Sequence, residues 1–127
     1  MKTRLIFLAM AFLFSESSFL HAEDNLKKNT MQAQCERQAK SVRAVLVQRQ
    51  DPSMSGALIY AGAVRDLREA GFDSGEYRKW FMKIINSFYD EPKSIFWEPN
   101  RIFHEYLAMC TSDPEKYLIP GTVINGS

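Results

Sequence analysis

Few residues in this chain have both the type and the spacing to do chemistry. His104 and Glu105 stand side by side, and a histidine beside a carboxylate is raw material for general acid–base work or a zinc site. A zinc-protease helix, however, needs His-Glu-x-x-His, and position 108 is Ala108. Neighbouring residues on a helix also project about 100° apart, so the pair does not naturally share a site. It reads as a surface histidine flanking an aromatic stripe. A glycine-rich phosphate loop and a nucleophile-elbow serine are both absent. The paired acids Asp66 with Glu69, and Asp90 with Glu91, read as solvated helix and turn residues. No catalytic residue, metal ligand set or cofactor site is assigned, and the chain is expected to be non-enzymatic.

Cys35 and Cys110 are the remaining reactive pair. No Cys-x-x-Cys spacing lowers a thiol pKa for redox work, and a structural zinc site would need four ligands where only His104 could join them. Two readings stay open, a disulfide and two buried free thiols, and the reading of the N-terminus favours the first. Met1 to Arg4 is a short basic segment, Leu5 to Phe14 is an unbroken apolar run, and Ala22 precedes the acidic Glu23-Asp24. This is the layout of a secretory signal peptide over residues 1–22, cleaved near Ala22. The apolar run is shorter than the ~20 residues that span a bilayer. An exported chain meets an oxidising compartment, where an even cysteine count favours pairing.

Cleavage at Ala22 leaves 105 of the 127 residues, enough for one domain, with fourteen basic and fourteen acidic side chains. A formally neutral domain exerts no general pull on nucleic acid or anionic lipid, and no nucleic-acid partner is expected.

The elements that must carry these residues are helical. From about Met31 to Gln50, Cys35, Ala39, Val42 and Leu46 recur on one face, with Glu36, Arg37, Lys40 and Arg43 largely on the other. Asp51-Pro52 ends this helix. Ser53 offers an N-cap for a second helix, Met54 to Ala70, rich in Gly and Ala and closed by Gly71. Asp73 with Glu76 has capping-box spacing ahead of a third helix to about Tyr89. Its apolar face, Tyr77, Trp80, Phe81, Ile84, Ile85 and Phe88, is the clearest in the chain. Asp90-Glu91-Pro92 breaks it, and Pro99 opens a fourth helix whose inner stripe is Phe103, Tyr106, Leu107 and Cys110. The expectation is an all-α, four-helix bundle-like domain over residues 23–113, stapled by one disulfide between its first and last helices. Residues 114–127, with Pro120, Gly121 and Gly126, read as a loop or disordered tail.

Phe96 and Trp97 are harder to place, because they lie in a connector between Pro92 and Pro99. Either they fold back over the helices or they present apolar surface to a partner. Tryptophan is enriched at interface hot spots. Phe96, Trp97 and nearby Arg101 therefore form the candidate partner surface.

Cys35, Arg49-Gln50, Met54-Ser55, Tyr89-Asp90-Glu91-Pro92, Phe103, Tyr106 and Cys110 together resemble a set of small, exported, uncharacterised, disulfide-linked helical proteins of Gram-negative bacteria and their prophages. The resemblance spans about residues 35–110. It implies a periplasmic setting and an all-α fold, and it carries no activity and no catalytic residues. The function expected is binding of another envelope protein. The alternatives are a periplasmic acid-stress-type chaperone and an inhibitor of an envelope-targeting hydrolase, in which Asp90 and Glu91 would enter a basic cleft.

Overall fold

Thr30 accepts a hydrogen bond from the Ala33 backbone N–H at 3.2 Å and so starts helix α1, Met31–Arg49. The computed structural model describes residues 30–123, so the export segment 1–22 and its cleavage point near Ala22 lie outside the described residues. After α1 come α2 (Gly56–Ala70), α3 (Gly75–Asp90), a 3-10 connector (Pro92–Phe96), α4 (Pro99–Ser112) and a short α5 (Pro114–Tyr117). The described residues contain no strand, and none of their helices is long and apolar enough to cross a membrane.

Every other element packs against α1, most broadly α4. The stripe expected on α1 is buried: Cys35, Ala39, Val42 and Leu46 join Ile59, Leu67, Phe81, Ile85, Phe88, Tyr106 and Cys110 in one core. The bridge forms within it. Cys35 and Cys110 are fully buried and bonded, with Cα atoms 5.7 Å apart, joining the first and last long helices as the sequence predicts. Such a bond forms and persists in an oxidising setting.

The α1 pattern is broader than a single stripe. Gln34, Gln38 and Ser41 are buried as well, because a central helix is covered on more than one side. α2 and α3 form a hairpin that approaches closely at Gly56, where a β-carbon would meet Ile85 Cγ2 at 3.3 Å. Gly71 closes α2 with φ of +80°, as a left-handed cap should.

Three local expectations shift. The cap of α2 is Ser55, because the Ser53 N–H and hydroxyl both donate to Asp51 Oδ1, at 2.9 and 2.8 Å, in a turn of their own. The cap of α3 is Ser74, because the Asp73 carboxylate is taken by a bidentate pair with Arg78, both bonds 2.7 Å, and by Arg68 at 3.3 Å. Asp73 thus ties the end of α2 to the start of α3.

The third shift concerns the expected loop or disordered tail, 114–127. Pro114 does not only end α4; it occupies the first turn of α5, where its missing N–H costs nothing. The chain then extends into the core, and Ile119 is 1% exposed. Residues 114–123 are therefore part of the domain, and 124–127 lie outside the described residues.

The bridge closes a loop of 75 residues, for which the chain-entropy model gives about 4 kcal/mol. Cys35→Ser with Cys110→Ser should lower the free energy of unfolding by up to that amount in urea titration. The second expectation concerns acid. Hydrogen bonding to Arg78 pulls the Asp73 pKa down to about 2 from 3.8. A depressed folded-state pKa stabilises above the unfolded value and loses that contribution as pH falls through the folded one. The Tm gap between wild type and Asp73→Asn should be constant above about pH 5 and close between about pH 4 and 2.

Candidate functional site

At the end of α3 the Phe88 carbonyl accepts from the Glu91 N–H at 3.3 Å and points to the connector. It also accepts from Ser94 Oγ at 2.7 Å and from Arg49 Nε at 3.2 Å. Arg49 thus places a cation at a helix C-terminus, where the carbonyl dipoles favour it. Its guanidinium also lies 4.4 Å from the Tyr89 ring centroid. The next residue, Gln50, donates from Nε2 to the Ser94 carbonyl at 3.1 Å and to the Trp97 carbonyl at 2.6 Å. Glu91 accepts from the Lys93 N–H at 3.2 Å, and the Tyr89 hydroxyl donates to the Met54 carbonyl at 3.2 Å. Arg49, Gln50, Met54, Tyr89 and Pro92, scattered along the sequence, converge on one end of the bundle. Together they fix the path of the 3-10 connector.

The connector separates the two aromatics that the sequence leaves ambiguous. Trp97 turns inward, half-buried, with its ring edge-on to Phe88 at 6.2 Å. Phe96 turns outward and is 81% exposed, beside Ile95 at 43%. Arg101, one turn into α4, is exposed and pairs with Glu105 at 2.7 Å. The Glu98 carboxylate accepts from the Asn100 and Arg101 N–H groups, and so fixes the start of that helix. Val47, half-exposed, shares a row of α1 with Arg43 and Gln50. Those two bond Asn100 and Trp97, so Val47 faces the same end of the molecule.

The candidate surface is therefore composite. Phe96 and Ile95 supply apolar area, Arg101 supplies charge at its edge, and Trp97 is the internal support. Of the paired acids Asp90 and Glu91, Glu91 caps the connector. His104 is exposed and makes an edge contact with Phe103, and Glu105 is paired with Arg101. Among the described residues, no group of three or more His, Cys, Asp and Glu is placed to hold a metal ion.

A second feature was not legible as a site in the sequence. Gln34, Arg37, Gln38, Ser41, Leu67, Phe72, Tyr77, Trp80 and Phe81 line a small cleft with room for about one water molecule. Behind it runs a polar network. Gln34 Nε2 donates to Gln38 Oε1 at 3.0 Å and to the Tyr77 hydroxyl at 3.1 Å. Trp80 Nε1 donates to the Tyr106 hydroxyl at 3.3 Å. Burial raises the pKa of both Tyr77 and Tyr106, so the phenols stay protonated at neutral pH. The cleft is too small for a substrate; its glutamine and tyrosine groups hold one another, while the buried Arg37 Nε has no hydrogen-bond partner among the described residues.

The different placement of the two aromatics has a measurable consequence. Trp97→Ala should cost roughly 2 kcal/mol of unfolding free energy, as loss of a packed ring does, whereas Phe96→Ala should stay within about 0.5 kcal/mol of wild type. Urea unfolding of both variants beside the parent checks this.

Compared with protein-family models, with curated proteins and with solved structures, the chain finds no match.

Proposed function

We propose that this chain is an exported, non-catalytic protein of the bacterial envelope that binds another protein through the connector surface. The observation that carries this reading is Phe96. A phenylalanine that is 81% exposed is solvated at a cost, and here it stands on a connector fixed by Arg49, Gln50 and Ser94. A single exposed apolar residue needs no explanation. An aromatic held in place on a hydrogen-bonded support, with Ile95 beside it and Arg101 at the edge, is the composition of a binding hot spot. Because the backbone beneath it is already ordered, little conformational entropy remains to be lost on association.

The periplasm is the compartment that fits best. The buried bridge favours an oxidising setting, and the N-terminal layout of residues 1–22 reads as an export signal. The resemblance across residues 35–110 points to the same place. The surface, with Phe96 and Ile95 at its centre and Arg101 at its edge, suits a protein partner better than nucleic acid, for which the near-neutral charge balance supplies no attraction.

A photo-crosslinking residue at position 96 of the exported, oxidised protein should give a discrete adduct with an envelope protein in its own cells. The same residue at Lys83, on the exposed side of α3, should give none. Phe96→Asp should weaken capture of that adduct's partner at least tenfold while leaving the Tm unchanged, since hot-spot losses of 2 kcal/mol or more are typical. Equal capture by wild type and Phe96→Asp would sink the proposal.

A further inference from the structure

The tail segment makes contacts of an unusual kind. Gln38 Nε2 donates to the Tyr117 carbonyl at 2.7 Å, and the Ile119 N–H donates to Gln38 Oε1 at 2.9 Å. The residue between them, Leu118, is extended, with φ −70° and ψ 142°. One side-chain amide therefore meets a carbonyl and an N–H two residues apart, on either side of one extended residue just past α5. That is the pairing one strand offers another at a sheet edge, and proteins use it to bind peptides. The Tyr106 hydroxyl adds a third bond, donating to the same Tyr117 carbonyl at 3.0 Å. Ile119 fills a socket in which it is 1% exposed. Recognition thus rests on backbone groups, on Ile119, and on the Tyr117 ring, which lies edge-on to Tyr106 at 5.9 Å.

The link to the rest of the chain is short and well defined. Asp113 is the single residue between α4 and α5; its φ of −139° and ψ of 70° are not helical, and its side chain makes no cap. Pro114 prevents α4 from running on into the tail. Rotation at Asp113 would release the tail without disturbing a helix on either side.

We propose that Gln38, Tyr106 and the Ile119 socket form a peptide-binding site that the tail fills in cis, and that its ligand in trans is the same segment, residues 114–123, of a second copy. The second copy is the occupant with the best claim, because its tail reproduces every contact by identity, so exchange changes no interaction and costs little. Tethering keeps the cis tail at an effective concentration in the millimolar range. The wild-type chain therefore stays closed at micromolar concentration and exchanges only where copies are crowded.

Two full-length variants test this by complementation. Ile119→Asp keeps the site but has a tail that cannot enter it, whereas Gln38→Ala keeps the tail but lacks the amide. Each alone should be monomeric by native mass spectrometry. Mixed at roughly 0.1 mM they should form a heterodimer, the tail of the second chain seated in the first. A synthetic peptide of residues 114–123 should bind Ile119→Asp at least tenfold more tightly than wild type, whose own tail competes. Two folded variants that stay monomeric when mixed at up to about 1 mM would overturn the proposal. Should either variant fail to fold, hydrogen exchange on the wild-type chain decides. The Ile119 amide must exchange by local opening, at least tenfold faster than the buried Val42 amide on α1. Release of both only on global unfolding would equally overturn it.

Discussion

A primary amide has two N–H donors and an oxygen with two lone pairs, and Gln38 fills all of them inside the protein. It donates to Tyr106 at 2.8 Å and to the Tyr117 carbonyl, and it accepts from Gln34 and the Ile119 N–H. Those partners belong to α1 itself, α4 and the tail. A buried amide left with one bond unmade costs about 1–3 kcal/mol, so the four groups fix one another's positions. The disulfide lies one turn away on the same helix, at Cys35, and its other half is one turn from Tyr106 at Cys110. Covalent and polar constraints therefore act on the same pair of helices. Apolar burial brings α1 and α4 together, and the amide and the bridge determine their register.

The opposite end of α1 uses another device. There Arg49 and Gln50 donate to the carbonyls of Phe88, Ser94 and Trp97, adding to the backbone bonds that Phe88 and Ser94 accept from the Glu91 and Trp97 N–H groups. The connector lacks a long helix's own hydrogen-bond ladder, and those side chains add to the few backbone bonds it has. With them, a stretch of chain between two prolines becomes rigid enough to hold an exposed aromatic in one place. α1 thus organises both ends of the molecule, the tail at its first half and the connector at its last.

The helices and the bridge were legible because their signals are local or compositional. Apolar spacing shows the faces of α3 and α4, and an even cysteine count behind an export-like segment points to the Cys35–Cys110 bond. Helix starts were less legible at Ser55 and Ser74. Several capping residues stand next to one another there, and only the partners that Asp51 and Asp73 take, Ser53 for the one and Arg68 and Arg78 for the other, decide among them. The tail reads as a loop in the sequence because proline and glycine mark a change of direction, not its destination. Ile119 gives no periodic signal, being one apolar residue in an irregular segment. The Gln38 network was invisible for a similar reason. A glutamine on a helix reads as solvent-facing until the neighbours that satisfy it are known. Phe96 and Trp97 were recognised as the ambiguous pair, but which one faces outward depends on the hydrogen bonds of the connector, which no spacing rule encodes.

The Cys35–Cys110 bond also makes a covalent ring of everything between those residues, and the connector with Phe96 lies inside that ring. Wherever a peptidase meets the folded chain, one cut anywhere between positions 35 and 110 breaks a peptide bond but releases no fragment. The two pieces remain tied at the core, where both sulfurs are closed to solvent. A nick in the loop at 50–55 would still leave Arg49, Ser94 and Phe88 in one connected molecule. Damage that would separate a linear chain into parts becomes, for this domain, a change of backbone connectivity within an intact particle.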